Sequence, residues 1–506
     1  MEFSRRAMLQ GALIGTSVLG ASTLGISDTA GLARAQSIGP LLSRSRPRLT
    51  HGVATGDPRA DGALVWARSD RPARMIVETS ATEDFTAPAR YLGPMLTPAT
   101  DGTGTFRVPG LPAGTDVHYR VTLESGGALS EPVAGIFRTA PARPSTIRLA
   151  WSGDVAGQGW GINTEMGGMR GFATIADRSP HLFLHSGDSI YADNPLEETV
   201  TLPDGRIWRN ELSEAKAQAA TTLGQFRGNY AYNLTEANYR RFNASVAQVV
   251  QWDDHEVTNN WYPGESPEID AMARAAWQAF HEWQPMRPSE AVDGRLFRAI
   301  PYGPLLDVFV LDMRAYKDPN TSHAQDTGQV LGPRQAQWLI DSLRASTAQW
   351  KIVCNDLPLG LIVPDGDHIE GIANGRPGSP GGRESELARV LTAIRDVPGV
   401  VWLTADVHYT AAHHYSPERA AYQDFSEFWE FVTGPLHAGG FGPNELDPTF
   451  GPRAEFIHAP ETPNTSPLDG YQHFGEVIID GETRSLTVNL CDTSGAVLYT
   501  KELSAR

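Results

Sequence analysis

"VVQWDDHEVTNNW", Val249 to Trp261, is the stretch on which the reading of this chain turns. An apolar, strand-like run leads directly into Asp253, Asp254, His255 and Glu256, and Asn259 and Asn260 follow. Acids this close repel one another and lose hydration when buried. A solvated loop after an edge strand would avoid that cost, and a bound cation would remove it.

The same construction recurs along the chain. "IRLAW" runs to Asp154, "HLFLHSG" to Asp188 with Tyr191 three residues on, and "LLDVFVL" to Asp312 and Arg314. "WKIVC" runs to Asn355 and Asp356, and "VVWLTA" to Asp406, Val407 and His408. One aspartate after a strand is ordinarily a turn residue or a helix N-cap. Six acid-tipped strands read differently, because ligands of open α/β sheets gather at the carboxyl ends of the strands. If the six share a sheet, their acids converge, and converging carboxylates need cations. Asp, His, Asn and Tyr without thiolate suit Fe, Mn, Zn or Ca.

Helical patterns alternate with these strands. "IDAMARAAWQAFHEW" sets Met272, Ala276, Phe280 and Trp283 on one face. "GPRQAQWLIDSLRAS" gathers Ala336, Leu339 and Leu343, and "ESELARVLTAIRDVPG" gathers Leu387, Val390, Leu391 and Ile394. Strand–helix alternation predicts an α/β domain over 144–506, closed by a β-rich tail with turns at Asp480-Gly481 and Ser494-Gly495. Before it, residues 48–143 read as a small β-sandwich of fibronectin/Ig-like type, with Tyr119 near the start of a strand and the Pro-rich "APARPST" as hinge. Two long stretches rich in Pro, Gly and Asn, 192–225 and 434–470, read as rims or lids.

The formal net charge of −17 over 506 residues argues against a nucleic-acid or anionic-membrane partner. An anionic substrate would then need a local positive centre. At the N-terminus, Arg5 and Arg6 precede a weakly apolar stretch from Met8 to Ile26 and a small-residue site at Ala33-Arg34-Ala35. Residues 1–35 read as a cleaved twin-arginine signal peptide, which predicts a periplasmic or secreted product, the twin-arginine export machinery as a partner and no stable membrane anchor. Cys354 and Cys491 sit in apolar runs as small hydrophobes, with a disulfide between them left open.

The set "GD…HSGDSIYADN…WDDHEVTNNW…LDMRAY…TADVHY", with the paired arginines and the β-rich N-terminal region, resembles the PhoD-type alkaline phosphatases of the calcineurin-like metallophosphoesterases. The resemblance spans nearly the whole mature chain. It implies a four-layer αββα sandwich with metals between two sheets, and hydrolysis of small phosphomonoesters, and sometimes diesters, using Fe(III) with Ca(II). Carried over by motif, Asp188 would bridge the metals and Tyr191 would bind iron as a phenolate. Asp254 with Asn259 or Asn260 would lie at the second metal or the phosphate. Asp406 and His408 would complete the ligand set, His255 would stand beside the leaving group, and Arg314 would act near the substrate. The best-known members carry a cysteine ligand after the first strand. Here that place reads "WSGDVAGQGW", so Asp154 would substitute and Zn(II) or Mn(II) becomes an alternative to iron.

Lesser candidates are His413 and His414, Asp356 as turn or support, and Asp367 and His368 in a loop that could reach the rim. No GxSxG elbow, P-loop or dinucleotide fingerprint is present in the sequence. Two other functional classes stay open. One is a phospholipase D-like phosphodiesterase acting on phospholipid or teichoic-type diesters. The other is a non-catalytic exported metal-binding protein.

Overall fold

The computed structural model describes residues 46–287 and 295–505. The signal-peptide reading therefore lies outside the described residues. Residues from Arg46 onward form one compact unit.

The six acid-tipped strands divide three and three between two facing sheets, where a single sheet was one expectation. Ile147–Ser152, Leu182–Ser186 and Ala247–Gln251 run parallel and adjacent in a nine-stranded sheet. Leu306–Val310, Trp350–Cys354 and Val400–Thr404 run parallel and adjacent in a seven-stranded sheet. The period of two decides what each strand packs against. Leu149, Leu184 and Val249 face Val308, Ile352 and Leu403 in the core between the sheets. Their sequence neighbours Ala150, Phe183 and Val250 turn outward onto helices that supply Phe172, Phe242 and Phe280. On the other outer face, Phe309, Val353 and Trp402 meet Leu339 and Leu343 of the helix Gly332–Ala345 and Leu387 and Val390 of Glu384–Ala393. The order is helix, sheet, sheet, helix. Leu184→Ala removes a fully buried side chain from the inter-sheet core, and we expect it to cost about 2–5 kcal/mol in urea unfolding.

The β-rich region before residue 143 is joined to this sandwich by hydrogen bonds. Leu49–Arg59, Gly62–Ser69 and Thr103–Val108 continue the nine-stranded sheet through the parallel pairing Gly56↔Gln248. Their other face packs on a second antiparallel sheet built around Ala73–Ser80 and Asp116–Ser125. Buried Arg298, 2.8 Å from Asp57, also donates to the carbonyl of Val250 at 3.0 Å, which locks the two regions together. The C-terminal strands His473–Ile479, Leu486–Asp492 and Val497–Leu503 complete the other end of the same sheet. Cys354 and Cys491 are both buried and free, so no disulfide joins them.

Candidate metal centre

The strand tips of both sheets end at one edge of the sandwich, and their backbone is unusual there. Asp154, Asp188, Asp406 and His408 have φ of 65°, 50°, 68° and 62°. Left-handed backbone is disfavoured for side chains with a Cβ and concentrates where function over-determines it. Each such turn points its carboxylate or imidazole back over the sheet edge. Space is cleared for them: a Cβ on Gly434 would sit 2.2 Å from Asp154 Oδ2.

Glu256 braces this arrangement. Its carboxylate accepts from the backbone N–H groups of Asp188 (3.2 Å), Ser189 (2.7 Å) and Asp253 (2.8 Å), and from Ser189 Oγ (2.6 Å). It therefore ties the tip of one strand to the tip of the next. Burial pushes its carboxyl up to about 7 against those donors.

Three groups of ligand atoms lie within 4.8 Å of one another: Asp154, Asp188 and His408; Asp188, Asp254 and His255; Asp253, Asp254 and Asp406. Asp188 belongs to the first two, so it is placed to bridge a pair of ions. Oδ2 of Asp154 is buried and has no hydrogen-bond partner among the described residues, as a ligand atom held for a cation would be. Burial, followed by neighbouring acids, holds the carboxyls of Asp154 and Asp188 well above the ordinary range. Cations would reverse that shift. The donor set of carboxylate oxygen, imidazole and phenol fits Fe, Mn, Zn or Ca.

The two histidines differ in state. His408 Nδ1 lies 2.5 Å from the carbonyl of Gly439, which only accepts, so Nδ1 carries the proton. Its Nε2 is 2.8 Å from Tyr191 Oη and 3.5 Å from Asp154. Burial lowers it to about 4, which keeps it neutral and fit to ligate. For His255, burial opposes the charge, but Asp254 and Asp193 outweigh it and raise it to about 9. Its Nδ1 is 2.7 Å from Asp193 Oδ1, and its ring packs 4.2 Å from that of Tyr191. Burial and Asp188 together push the Tyr191 phenol far above its ordinary value.

A pocket of about 420 Å³ opens above these groups. Asp188, Asp254, His255, Asn259, Asn260, Asp406 and His408 line it, whereas Asp154 and Tyr191 lie beneath. Arg314 does not reach the pocket. It is 0 % exposed and its guanidinium faces the carboxylates of Asp356 and Asp406. Asp312 is a turn residue: its Oδ1 accepts from Trp252 Nε1 (3.0 Å) and the N–H of Ala315 (2.9 Å). Asp356 bonds Gln251 (3.2 Å) and lies 3.3 Å from Arg314. His413 is buried 3.3 Å from Glu430, and His414 stacks on Trp429, both outside the pocket. Asp367 and His368 occupy a hairpin whose flanks, Val363, Pro364 and Glu370, form part of the pocket wall.

Several contributors escaped the sequence reading: Gln158, Asp193, Glu370, Phe441 and Asn444. Asp193 carried a signal, standing two residues after Tyr191 in "SIYADN". Its second oxygen accepts from the N–H of Asn259 at 2.8 Å, so one carboxylate sets both His255 and the asparagine turn. Asp193→Asn removes a carboxylate that helps hold the His255 proton and puts an amide in its place at Nδ1. We expect kcat to fall about 10–100-fold with metal content unchanged, checked by kinetics alongside elemental analysis.

A family model described as PhoD-like phosphatase matches residues 149–490, and one described as PhoD-like phosphatase, N-terminal domain, matches residues 34–141. The chain is 28% identical over 481 residues to alkaline phosphatase D of Bacillus subtilis (strain 168), covering 87% of this chain and 77% of that protein. It superposes on a solved structure described as "Structure of PhoD" with a TM-score of 0.68 at 21% identity, covering 91% of this chain and 93% of the other. That superposition establishes the fold.

Proposed function

The chain belongs to the PhoD-like phosphatase family, and on that premise we propose that this phosphoric ester hydrolase is metal-dependent, with two cations sharing Asp188. The observation that carries the reading is the membership of Asp188 in two ligand groups, beside an Asp154 oxygen that has no other partner. Asp154, Tyr191 and His408 would hold one cation, and Asp254 with Asn259 the other. Cations bound there would supply Lewis acidity, lowering the pKa of water and spreading the charge of phosphoryl transfer.

The chain's own residues do the rest. Asp193 orients His255 with its ring at the pocket and helps hold it protonated, placed to give a proton to the departing oxygen. Asn259 and Asn260 line the pocket where phosphoryl oxygens would lie. Tyr191 favours Fe(III), since a phenol this buried ionises only beside a highly charged cation, and Ca(II) suits the harder oxygen side. Residues 1–35 would carry the folded enzyme out of the cytoplasm. Among the described residues, no helix is long and apolar enough to cross a membrane.

A second reading, hydrolysis of phosphodiesters, draws support from the pocket wall. Val363, Pro364, Val407 and Phe441 stand beside the acids, and no lysine or arginine is among the described lining residues. A second organic group would find apolar surface there, and a monoester dianion would find no arginine clamp.

The test is elemental analysis of protein exported from its native host, with a panel of phosphomonoesters and diesters assayed before and after chelation. We expect bound metal and activity lost on chelation. A visible absorption band absent from Tyr191→Phe would identify iron(III). A colourless active enzyme would place Zn, Mn or Ca there instead. No hydrolysis with any metal would overturn the reading.

A further inference from the structure

We propose that Arg314 is a resident cation of this centre: its guanidinium occupies the Asp253–Asp254–Asp406 group, so that metal ions load only at the two groups built on Asp188. The proposal rests on the metal-dependent reading above and concerns where the ions stop.

The guanidinium is enclosed on every side by acids. Nε bonds Asp253 and lies 3.3 Å from Asp356 Oδ2. Nη1 bonds Glu370. Nη2 lies 3.2 Å from Asp406 Oδ1 and 3.6 Å from Asp254 Oδ1. One planar cation thus meets five carboxylates, which a five-donor fork can do and an ammonium cannot. Three of the five are the members of the third ligand group. A metal bound to those oxygens at about 2.0–2.6 Å would stand almost against Nη2, forcing two cations into one buried space.

The other side of the cluster lacks such a partner. Arg314 makes an ion pair with neither Asp154 nor Asp188, which lie across the acid patch from it. The acids thus divide into those that face the guanidinium, Asp253, Asp356, Glu370 and Asp406, and the pair Asp154 and Asp188, which it does not reach. Asp254 stands between them, within 3.6 Å of Nη2 and in a group with Asp188. In this division Arg314 holds Asp406 and positions the ligand Asp254 without touching substrate, which accounts for its absence from the pocket.

Mn²⁺ is the probe, located by anomalous scattering in crystals of the full mature protein and counted in solution by equilibrium dialysis. In the wild type we expect manganese at the Asp188 groups and none between Asp253 and Asp406. Arg314→Gln should gain one equivalent there, and Arg314→Lys, which keeps the charge, should not. Manganese between Asp253 and Asp406 in the wild type would overturn the proposal, as would an unchanged count in folded Arg314→Gln. The wild-type measurement decides the matter even if Arg314→Gln does not fold. No bound manganese anywhere would overturn the metal-dependent reading, and this proposal with it, whereas manganese at both places overturns the proposal alone.

Discussion

Asp188→Asn is expected to leave the protein folded and nearly inactive. Asparagine tolerates the left-handed backbone that Asp188 adopts, φ 50°, and its oxygen can still accept the N–H of His255 at 3.2 Å. What it loses is the charge that two ligand groups share. Metal catalysis is worth several kcal/mol, so kcat/KM should fall about 10³-fold or more. Elemental analysis should show loss of both cations, not one. Retention of full metal content would refute the bridging role. The apo protein should respond in the opposite sense. Burial, then Asp254 and Asp253, hold the Asp188 carboxyl above its ordinary value, so the folded apo state resists an ionisation that the unfolded chain accepts. That destabilises the apo wild type above the ordinary carboxylate range, and the penalty disappears once pH falls low enough to protonate both states. Metal-free Asp188→Asn should therefore melt higher than metal-free wild type at neutral pH, with the difference closing under acid. The loss of function and the gain in apo stability have one origin.

The strand tips made much of this centre legible before any coordinates. Apolar runs of four to seven residues, each ending in an acid, announced the ends of strands whose side chains alternate between two cores, as Phe183 and Leu184 do. How the strands partition was not legible, because pairing is a long-range property: Gly56 sits beside Gln248, and nothing local to either says so. For the same reason the β-rich N-terminal region read as a module hinged to the rest, although one of its faces is the end of the central sheet. Within the site, residue type named candidate ligands but not their direction. Asp312 and Asp254 are both acids after a strand. One closes a turn against Trp252 and Ala315, and the other enters two ligand groups. Arg314 follows Asp312 by two residues, and the family resemblance put it near the substrate. Only its surroundings reveal that carboxylates already consume its donors. Glu370 could not have been singled out, since it reaches the centre from a hairpin with no strand pattern behind it.

His255→Ala should separate the two roles that its position allows. His255 stands in a candidate ligand group with Asp188 and Asp254, yet its Nδ1 is committed to Asp193 at 2.7 Å and its ring packs, tilted, against Tyr191. A carboxylate behind an imidazole orients either a ligand or a proton donor, so the hydrogen bond alone does not separate the roles. The leaving group does. A nitrophenolate departs without a proton, whereas an alkoxide needs one. If His255 supplies it, kcat/KM for alkyl phosphates should fall by about 10²–10⁴, nitrophenyl phosphate should be affected far less, and the metal content should stay at the wild-type level. If His255 is instead a ligand, both substrates should lose activity together and metal should be lost in step. The Asp193→Asn variant extends the test, because it leaves the imidazole in place but removes a carboxylate that helps hold its proton. A proton-donor role then requires a smaller loss with the same preference for alkyl over aryl esters. An equal loss on the two substrates in both variants, at full metal content, would leave His255 neither role and would require the proton to come from another group on the pocket wall.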